Sequence, residues 1–337
     1  MSPTERVKVA AKAGGDYFPP AADGVLSSGC TILDLVLGGG YPLGRFTNIV
    51  GDKSTGKTLL AIEAVANFHR KFPDAPVVYN ETEAAFDEDY ARSLGIPIDG
   101  NEVEMVKNCD TIEGLFQHIM DFVKAVPAGS PGLYIIDSFD ALSDAAEMER
   151  EFDKGSYGMA KAKASSKMFR QLVRPLAEKN ILLIVVSQVR ANVGVTFGNQ
   201  HSRSGGRALD FYASQVLWLA HKKRIEKQVR GVKMAVGVEV VAQAKKNKIG
   251  MPFRKCEFPI LFGYGVDDAQ ASIDYLKSIK SLDKHFSVDE RTALAKMNVV
   301  DSPIPVELHE RLSNHVKQEW QSIEASIRPA QGKYAQR

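Results

Sequence analysis

Residues Gly51-Asp52-Lys53-Ser54-Thr55-Gly56-Lys57-Thr58 spell G-x-x-x-x-G-K-[ST] in full, between an apolar run at 46–50 and a helical pattern opening at Leu59. This feature constrains the fold more than any other in the chain. A strand that enters a glycine-containing loop and leaves it as a helix turns successive backbone N–H groups inward. The helix N-terminus adds its partial positive charge, so the loop is suited to hold phosphate. Lys57 is placed to reach β- and γ-phosphates, and Thr58 to hold Mg²⁺.

The surrounding pattern agrees. Apolar runs at 46–50, 77–79, 133–136, 181–186, 215–220 and 238–242 read as buried strands, and helical stretches such as 59–71 and 159–179 separate the earlier ones. Near-continuous apolar strands alternating with helices predict a mostly parallel twisted α/β sheet flanked by helices. The last two strands, joined across a basic stretch at 221–233, read as an antiparallel hairpin closing the sheet. Three units are expected: a short segment at 1–24, the α/β core at 25–265, and a small, mainly helical region at 266–337 with a disordered tail.

Composition excludes several classes. In 337 residues with 44% hydrophobic side chains, a large core forms without disulfides. Cys30, Cys109 and Cys256 are odd in number and far apart, which excludes a disulfide framework or a CxxC metal knuckle and fits a reducing cytoplasm. The longest aliphatic run, 181–186, is too short to span a bilayer, and 1–15 lacks a signal-like apolar region, so no membrane partner is expected. With 43 Lys+Arg against 41 Asp+Glu, the net charge is +2, so nucleic-acid binding must come from local patches.

Carboxylates complete the phosphate site. Leu133-Tyr134-Ile135-Ile136-Asp137 is an apolar strand ending in Asp, the pattern that holds Mg²⁺ beside a phosphate loop. Glu81 and Glu83 follow the strand at 77–79 and face the same crevice, as water-orienting candidates. Their chemistry does not choose between them.

Read in order, these and further residues resemble the bacterial RecA recombinase family, in a divergent form of the kind a phage or plasmid carries. The resemblance covers about 25–265. It rests on Leu26-Ser27-Ser28-Gly29 with Gly38-Gly39-Gly40-Tyr41-Pro42-Leu43-Gly44-Arg45, on Glu83-Ala84-Ala85-Phe86-Asp87 with Tyr90-Ala91-Arg92-Ser93-Leu94-Gly95, and on Ser187-Gln188-Val189-Arg190 with Gly194-Val195-Thr196-Phe197-Gly198-Asn199. Gly205-Gly206-Arg207-Ala208-Leu209, Phe211-Tyr212-Ala213-Ser214 and Lys246-Asn247-Lys248-Ile249 complete it.

The resemblance implies a RecA-like P-loop ATPase core and a DNA-dependent ATPase using ATP and Mg²⁺. It implies Glu83 as the water-activating residue, Lys57 and Gln188 as catalytic partners, Tyr90 stacking on adenine, and Asp87 nearby. Lys246 and Lys248 would reach the ATP of a neighbouring protomer, and Phe211 would anchor that neighbour, giving a helical filament with ATP at protomer interfaces. The segment at 1–24 would then be a polymerisation arm, which looks shortened.

Two loops, at about 149–159 and 189–206, would bind single-stranded DNA and then a homologous duplex. Tyr157, Gly158, Lys163, Arg170, Arg190, Phe197, Asn199, Gly205, Gly206 and Arg207 are their candidate contacts, through phosphate neutralisation, backbone N–H groups and aromatic stacking. Tyr157, Ala84 and Asp210 depart from the family's methionine, histidine and lysine at those places. A helicase-like or KaiC-like ATPase would share Lys57, Thr58 and Asp137 but lack the second loop and the Lys246/Lys248 pair. A non-exchanging accessory of recombination is the rival from another class.

Overall fold

The computed structural model describes residues 24–82, 86–96, 103–107, 109–143, 157–191, 201–202, 208–297 and 304–329. Strand β1 (Val25–Leu26) pairs antiparallel with β2 (Tyr41–Pro42), around helix α1 (Thr31–Leu37). Then come β3 (Phe46–Gly51), α2 (Lys57–Lys71), β4 (Val77–Glu81), α3 (Glu88–Ser93), β5 (Val103–Val106), α4 (Ile112–Ala125) and β6 (Gly132–Asp137). A 3-10 turn (Phe139–Ala141) leads towards α5 (Tyr157–Glu178), β7 (Ile181–Gln188), β8 (Arg190–Ala191), β9 (His201–Ser202) and α6 (Ala208–Tyr212). The chain continues through β10 (Gln215–Val229), β11 (Val232–Asn247), β12 (Lys255–Leu261), β13 (Gly265–Val266), α7 (Asp268–Ser278), α8 (Leu282–His285), α9 (Val288–Lys296) and α10 (Val306–Ser326).

Nine strands form one sheet in the order β13-β12-β11-β10-β3-β7-β6-β4-β5. From β10 to β5 all neighbours are parallel, as the apolar runs predict. Side chains alternate between two cores. Ile49, Tyr79, Ile135 and Ile184 face α1, α2 and the C-terminal helices, while Phe46, Val78, Ile136 and Val185 face α4 and α5. This is a sheet buried on both faces.

The hairpin departs from expectation. Both β10 and β11 run through the basic stretch, and they meet at Arg230 and Gly231, whose φ values of 51° and 84° suit a two-residue turn. The hairpin does not close the sheet, because β12 and β13 add beyond β11. Along β12, buried and exposed residues alternate and Pro259 interrupts the run, so its apolar signal is diluted.

The C-terminal helices share the main core. Leu276, Leu294, Leu312 and Val316 belong to the same buried cluster as Leu33 and Leu60. Asp268 caps α1 from a distance: the Thr31 N–H donates to its Oδ1 at 2.5 Å, and His309 of α10 lies 2.9 Å from its Oδ2. At the other end of α1, the Gln215 and Asn247 amides both donate to the Leu37 carbonyl, at 2.8 and 2.9 Å. Both ends of α1 are thus completed by side chains remote in sequence.

Candidate functional site

Pleat parity sets the site. Gly51, Glu81, Asp137 and Gln188 occupy the last positions of β3, β4, β6 and β7. Glu81 is in register with Asp137, and Gln188 with Gly51. The phosphate loop, both carboxylates and the glutamine therefore line one edge of adjacent parallel strands, at their C-terminal ends, where open α/β sheets place ligands.

The loop is shaped for an anion. Ser54 and Gly56 have φ values of 58° and 87°, and Gly56 precedes the first turn of α2. Such alternation turns N–H groups to one concave side. A Cβ at Gly51 would lie 2.5 Å from Thr55 Oγ1, and one at Gly56 would lie 2.3 Å from Ile260 Cδ1. Thr55 Oγ1 and Lys57 Nζ both donate to the Asp52 carbonyl, at 2.8 and 2.7 Å, and Lys53 N–H donates to Asp52 Oδ1 at 2.7 Å. Lys57 is only 8% exposed, so its ammonium is held at the mouth of the cradle.

A cleft of about 330 Å³ opens over Ser54–Thr58, walled by Tyr90, Val238, Ile260 and Phe262. Tyr90 was expected here. Asp87 puts it in place, because its Oδ1 caps α3 by accepting from the Tyr90 N–H at 2.9 Å. Burial first, then Glu63 and Asp87, push the Tyr90 phenol above its ordinary value. Val238, Ile260 and Phe262 were missed. They come from the antiparallel strands and the turn after β12, and nothing local in sequence ties them to the loop. A larger depression of about 440 Å³ at edge strand β5, bordered by Lys107, Asp110 and His118, contains no residue of the phosphate loop.

Asp137 is 8% exposed, and its Oδ2 accepts from the Tyr79 hydroxyl at 2.8 Å. The Tyr79 ring packs on Phe86, with centroids 4.9 Å apart. Sequence reasoning missed Tyr79 because an aromatic in a buried strand reads as core. Glu81 is 5% exposed at the strand tip, while Glu83 lies outside the described residues.

The remaining candidates fall in two groups. Lys246 pairs with Val216 in the hairpin, towards the strand starts and away from the phosphate loop. Its ammonium donates to the Asp210 and Phe211 carbonyls at 2.6 and 2.8 Å, and burial, then Lys248, lower its pKa. Neither Lys246 nor the exposed Lys248 borders this chain's own cleft. Phe211 is 70% exposed and packs only edge-on to Tyr212, which excludes a core role within the described residues.

Lys163 and Arg170 lie exposed on α5 with Lys167 between them, one stripe at helical spacing. Lys161 belongs elsewhere, donating to the carbonyls of Asp140 and Leu142. Tyr157 and Gly158 stand on the first turn of α5, which shortens the first loop at its end. The second loop is tied at its base, where Arg190 pairs with Ser202 and Ala191 with His201. Phe197, Asn199, Gly205, Gly206 and Arg207 lie outside the described residues.

A parallel sheet with a phosphate cradle at its carboxyl edge and an acidic residue on a neighbouring strand tip defines a P-loop nucleotide-binding protein. Residues 20–267 match the RecA N-terminal domain family. The chain belongs to the RecA family. It is 38% identical to the protein RecA of Leifsonia xyli subsp. xyli (strain CTCB07) over 263 residues, which is 78% of this chain and 70% of that protein. Against RecA of Prochlorococcus marinus (strain NATL1A), identity is 34% over 249 residues, 74% of this chain and 63% of that one. Against RecA of Synechococcus sp. (strain WH7803) it is 35%, covering 74% and 62%. Among the described residues, no helix is long and apolar enough to cross a membrane.

Proposed function

We propose that this chain is an ATP-dependent DNA recombinase that assembles on single-stranded DNA and pairs it with a homologous duplex. The observation that carries the proposal is the register of Gln188 with Gly51. The residue beside the phosphate loop is also the last of β7, directly before the segment assigned to DNA, so one strand end links the two ligands.

In this reading, backbone N–H groups of Gly51–Thr58 and the Lys57 ammonium hold the ATP phosphates, and Tyr90 covers the adenine. Thr58 and Asp137 are the residues that would hold Mg²⁺, and their donor oxygens suit that hard cation. Mg²⁺ bound there would neutralise charge on the β- and γ-phosphate oxygens. Glu83 orients and deprotonates the attacking water, and the Gln188 amide senses the γ-phosphate. Lys246 and Lys248 complete the site of the next protomer, so ATP binding and filament assembly are thermodynamically linked. Exposed Phe211 supplies an apolar anchor for the same contact.

The stripe of Lys163, Lys167 and Arg170 neutralises DNA phosphates. Tyr157, Gly158, Arg190, Phe197, Asn199, Gly205, Gly206 and Arg207 contribute backbone and stacking contacts, while base pairing supplies sequence specificity. The division at 1–24, 25–265 and 266–337 is the matching functional organisation, with an assembly arm, a motor core and a tail region. Three free cysteines accord with a reducing cytoplasm.

ATP hydrolysis measured with and without single-stranded DNA at low salt, with Lys57→Ala as blank, tests the reading. A large stimulation by DNA is expected. Steady hydrolysis indifferent to DNA would replace the proposal with a helicase-like or KaiC-like ATPase, and no hydrolysis in either condition would point to a non-exchanging accessory. Glu83→Gln should lower turnover by about 100-fold or more while retaining ATP-dependent DNA binding. Unchanged turnover removes Glu83 from its role.

A further inference from the structure

Gln188 does not stand alone at its strand end. Asp140, on the 3-10 turn after β6, is 9% exposed, and its Oδ2 accepts from the Gln188 backbone N–H at 2.6 Å. Its Oδ1 is buried and accepts no hydrogen bond among the described residues. The same turn is held from another side. Lys161 of α5 donates to the Asp140 carbonyl at 3.0 Å and to the Leu142 carbonyl. The turn therefore joins three segments: the end of the Asp137 strand, the start of α5 just beyond the first candidate DNA loop, and the start of the second.

The choice of side chain is informative. A single backbone N–H needs one acceptor, and a neutral amide would serve at lower desolvation cost than a buried carboxylate. A carboxylate makes the shorter and stronger charge-assisted bond, and so fixes the amide it holds more tightly. Here that amide belongs to the residue assigned to sense the γ-phosphate.

We propose that Asp140 is a positioning residue that, with Lys161, couples the two DNA segments to Gln188. DNA bound by either segment would bias where α5 and the β7 end sit against the turn, and Asp140 would pass that bias to the glutamine. The inference rests on the recombinase reading, which supplies the role of Gln188 and the DNA segments.

The test compares ATP turnover against single-stranded DNA concentration for the wild type, Asp140→Ala, Asp140→Asn and Lys161→Met, with binding of a fluorescent ATP analogue measured separately. Asp140→Ala should lower DNA-stimulated kcat by about ten-fold while analogue affinity stays within about two-fold. Asp140→Asn, which can offer an amide oxygen to the same N–H, should recover at least about half of the stimulation. Lys161→Met, which leaves the carboxylate in place, should fall between them. Full stimulation in Asp140→Ala overturns the proposal, as does equal loss in Asp140→Ala and Asp140→Asn, or a loss that follows analogue affinity. If Asp140→Ala does not fold, Lys161→Met decides, and full stimulation there is equally fatal. A wild type that DNA does not stimulate removes the recombinase reading itself, and this coupling with it.

Discussion

In the parallel half of the sheet, β3, β6 and β7 are covered on both faces and buried almost end to end, whereas β10 and β11 leave the sheet and run on as a two-stranded ribbon. Pairing of β10 with β3 stops at Leu219, and pairing of β11 with β12 begins at Gly237. Between those points, among the described residues, the two strands form ladder pairs with each other alone, and Lys222 and Val236 still reach Glu257 and the Phe262 N–H at the ribbon base. The ribbon carries Lys222 and Lys223 paired to Glu239 at 2.7 Å each, and it exposes Val229, Val232 and Met234 at its end. Its base still matters to the site, since Val238 walls the cleft over the phosphate loop. One half of the sheet thus places charged chemistry at buried strand tips, and the other supplies an apolar wall and then projects into solvent.

The sharpest separation should come from Lys57→Ala. Turnover is expected to fall by about 100-fold or more, with the urea unfolding midpoint little changed, because the ammonium serves the ligand rather than the core. A matching loss of stability would show that the loop is structural.

Gln215, fully buried where the halves meet, accepts from Thr47 Oγ1 at 3.0 Å and donates to the Leu37 and Gly40 carbonyls at 2.8 and 3.1 Å. Gln215→Leu should cost about 2–3 kcal/mol in urea unfolding, since buried partners lose their bonds. A cost below about 0.5 kcal/mol would mean that the junction is not where the two halves are joined.

An effect of similar size, spread over about two to three pH units, is expected from pH. Burial pushes the Glu63 carboxyl from 4.5 up to about 7, although it accepts from the Val266 N–H at 2.7 Å. Between those values the folded state binds more protons than the unfolded chain, so stability falls as pH rises from 4.5 and levels off above about 7. Asp34, pushed up to about 6 by burial, acts in the same direction. Glu63→Gln should flatten this slope, by up to about 3 kcal/mol across the window. A slope that is unchanged in the variant would remove Glu63 as its source.

The smallest effect belongs to the ribbon tip. Val229→Thr, Val232→Thr and Met234→Gln should each change stability by less than about 0.5 kcal/mol. Losses above about 1.5 kcal/mol would break the contrast and reveal packing that the exposed tip does not have.

The contrast also explains what could be read in advance. The runs at 46–50, 133–136 and 181–186 are legible because strands buried on both faces must be apolar throughout. The ribbon is opaque because a strand with two wet faces looks like a basic connector, and β5, four residues long, offers too little pattern. In the site, Lys57, Thr58 and Asp137 were read from motif and spacing, which are local to the chain, and Tyr90 from the family resemblance alone. Tyr79 and Asp140 were not, since the hydrogen bond that ties each to the site reaches a residue far along the chain.

By itself, the sequence determined a phosphate loop between strand and helix, a parallel sheet to carry it, and membership in a family readable from ordered local motifs. The loop and the sheet follow from periodicity and from backbone freedom at a few glycines, which neighbouring residues settle among themselves, while the family follows from resemblance of the ordered segments to known members. Tertiary structure alone decided which strand tips share an edge, that the C-terminal helices join the main core, and that Lys161 holds a turn instead of standing with Lys163 and Arg170. Those outcomes depend on strand order and on buried polar groups finding partners far along the chain, and no window of local sequence contains both members of such a pair.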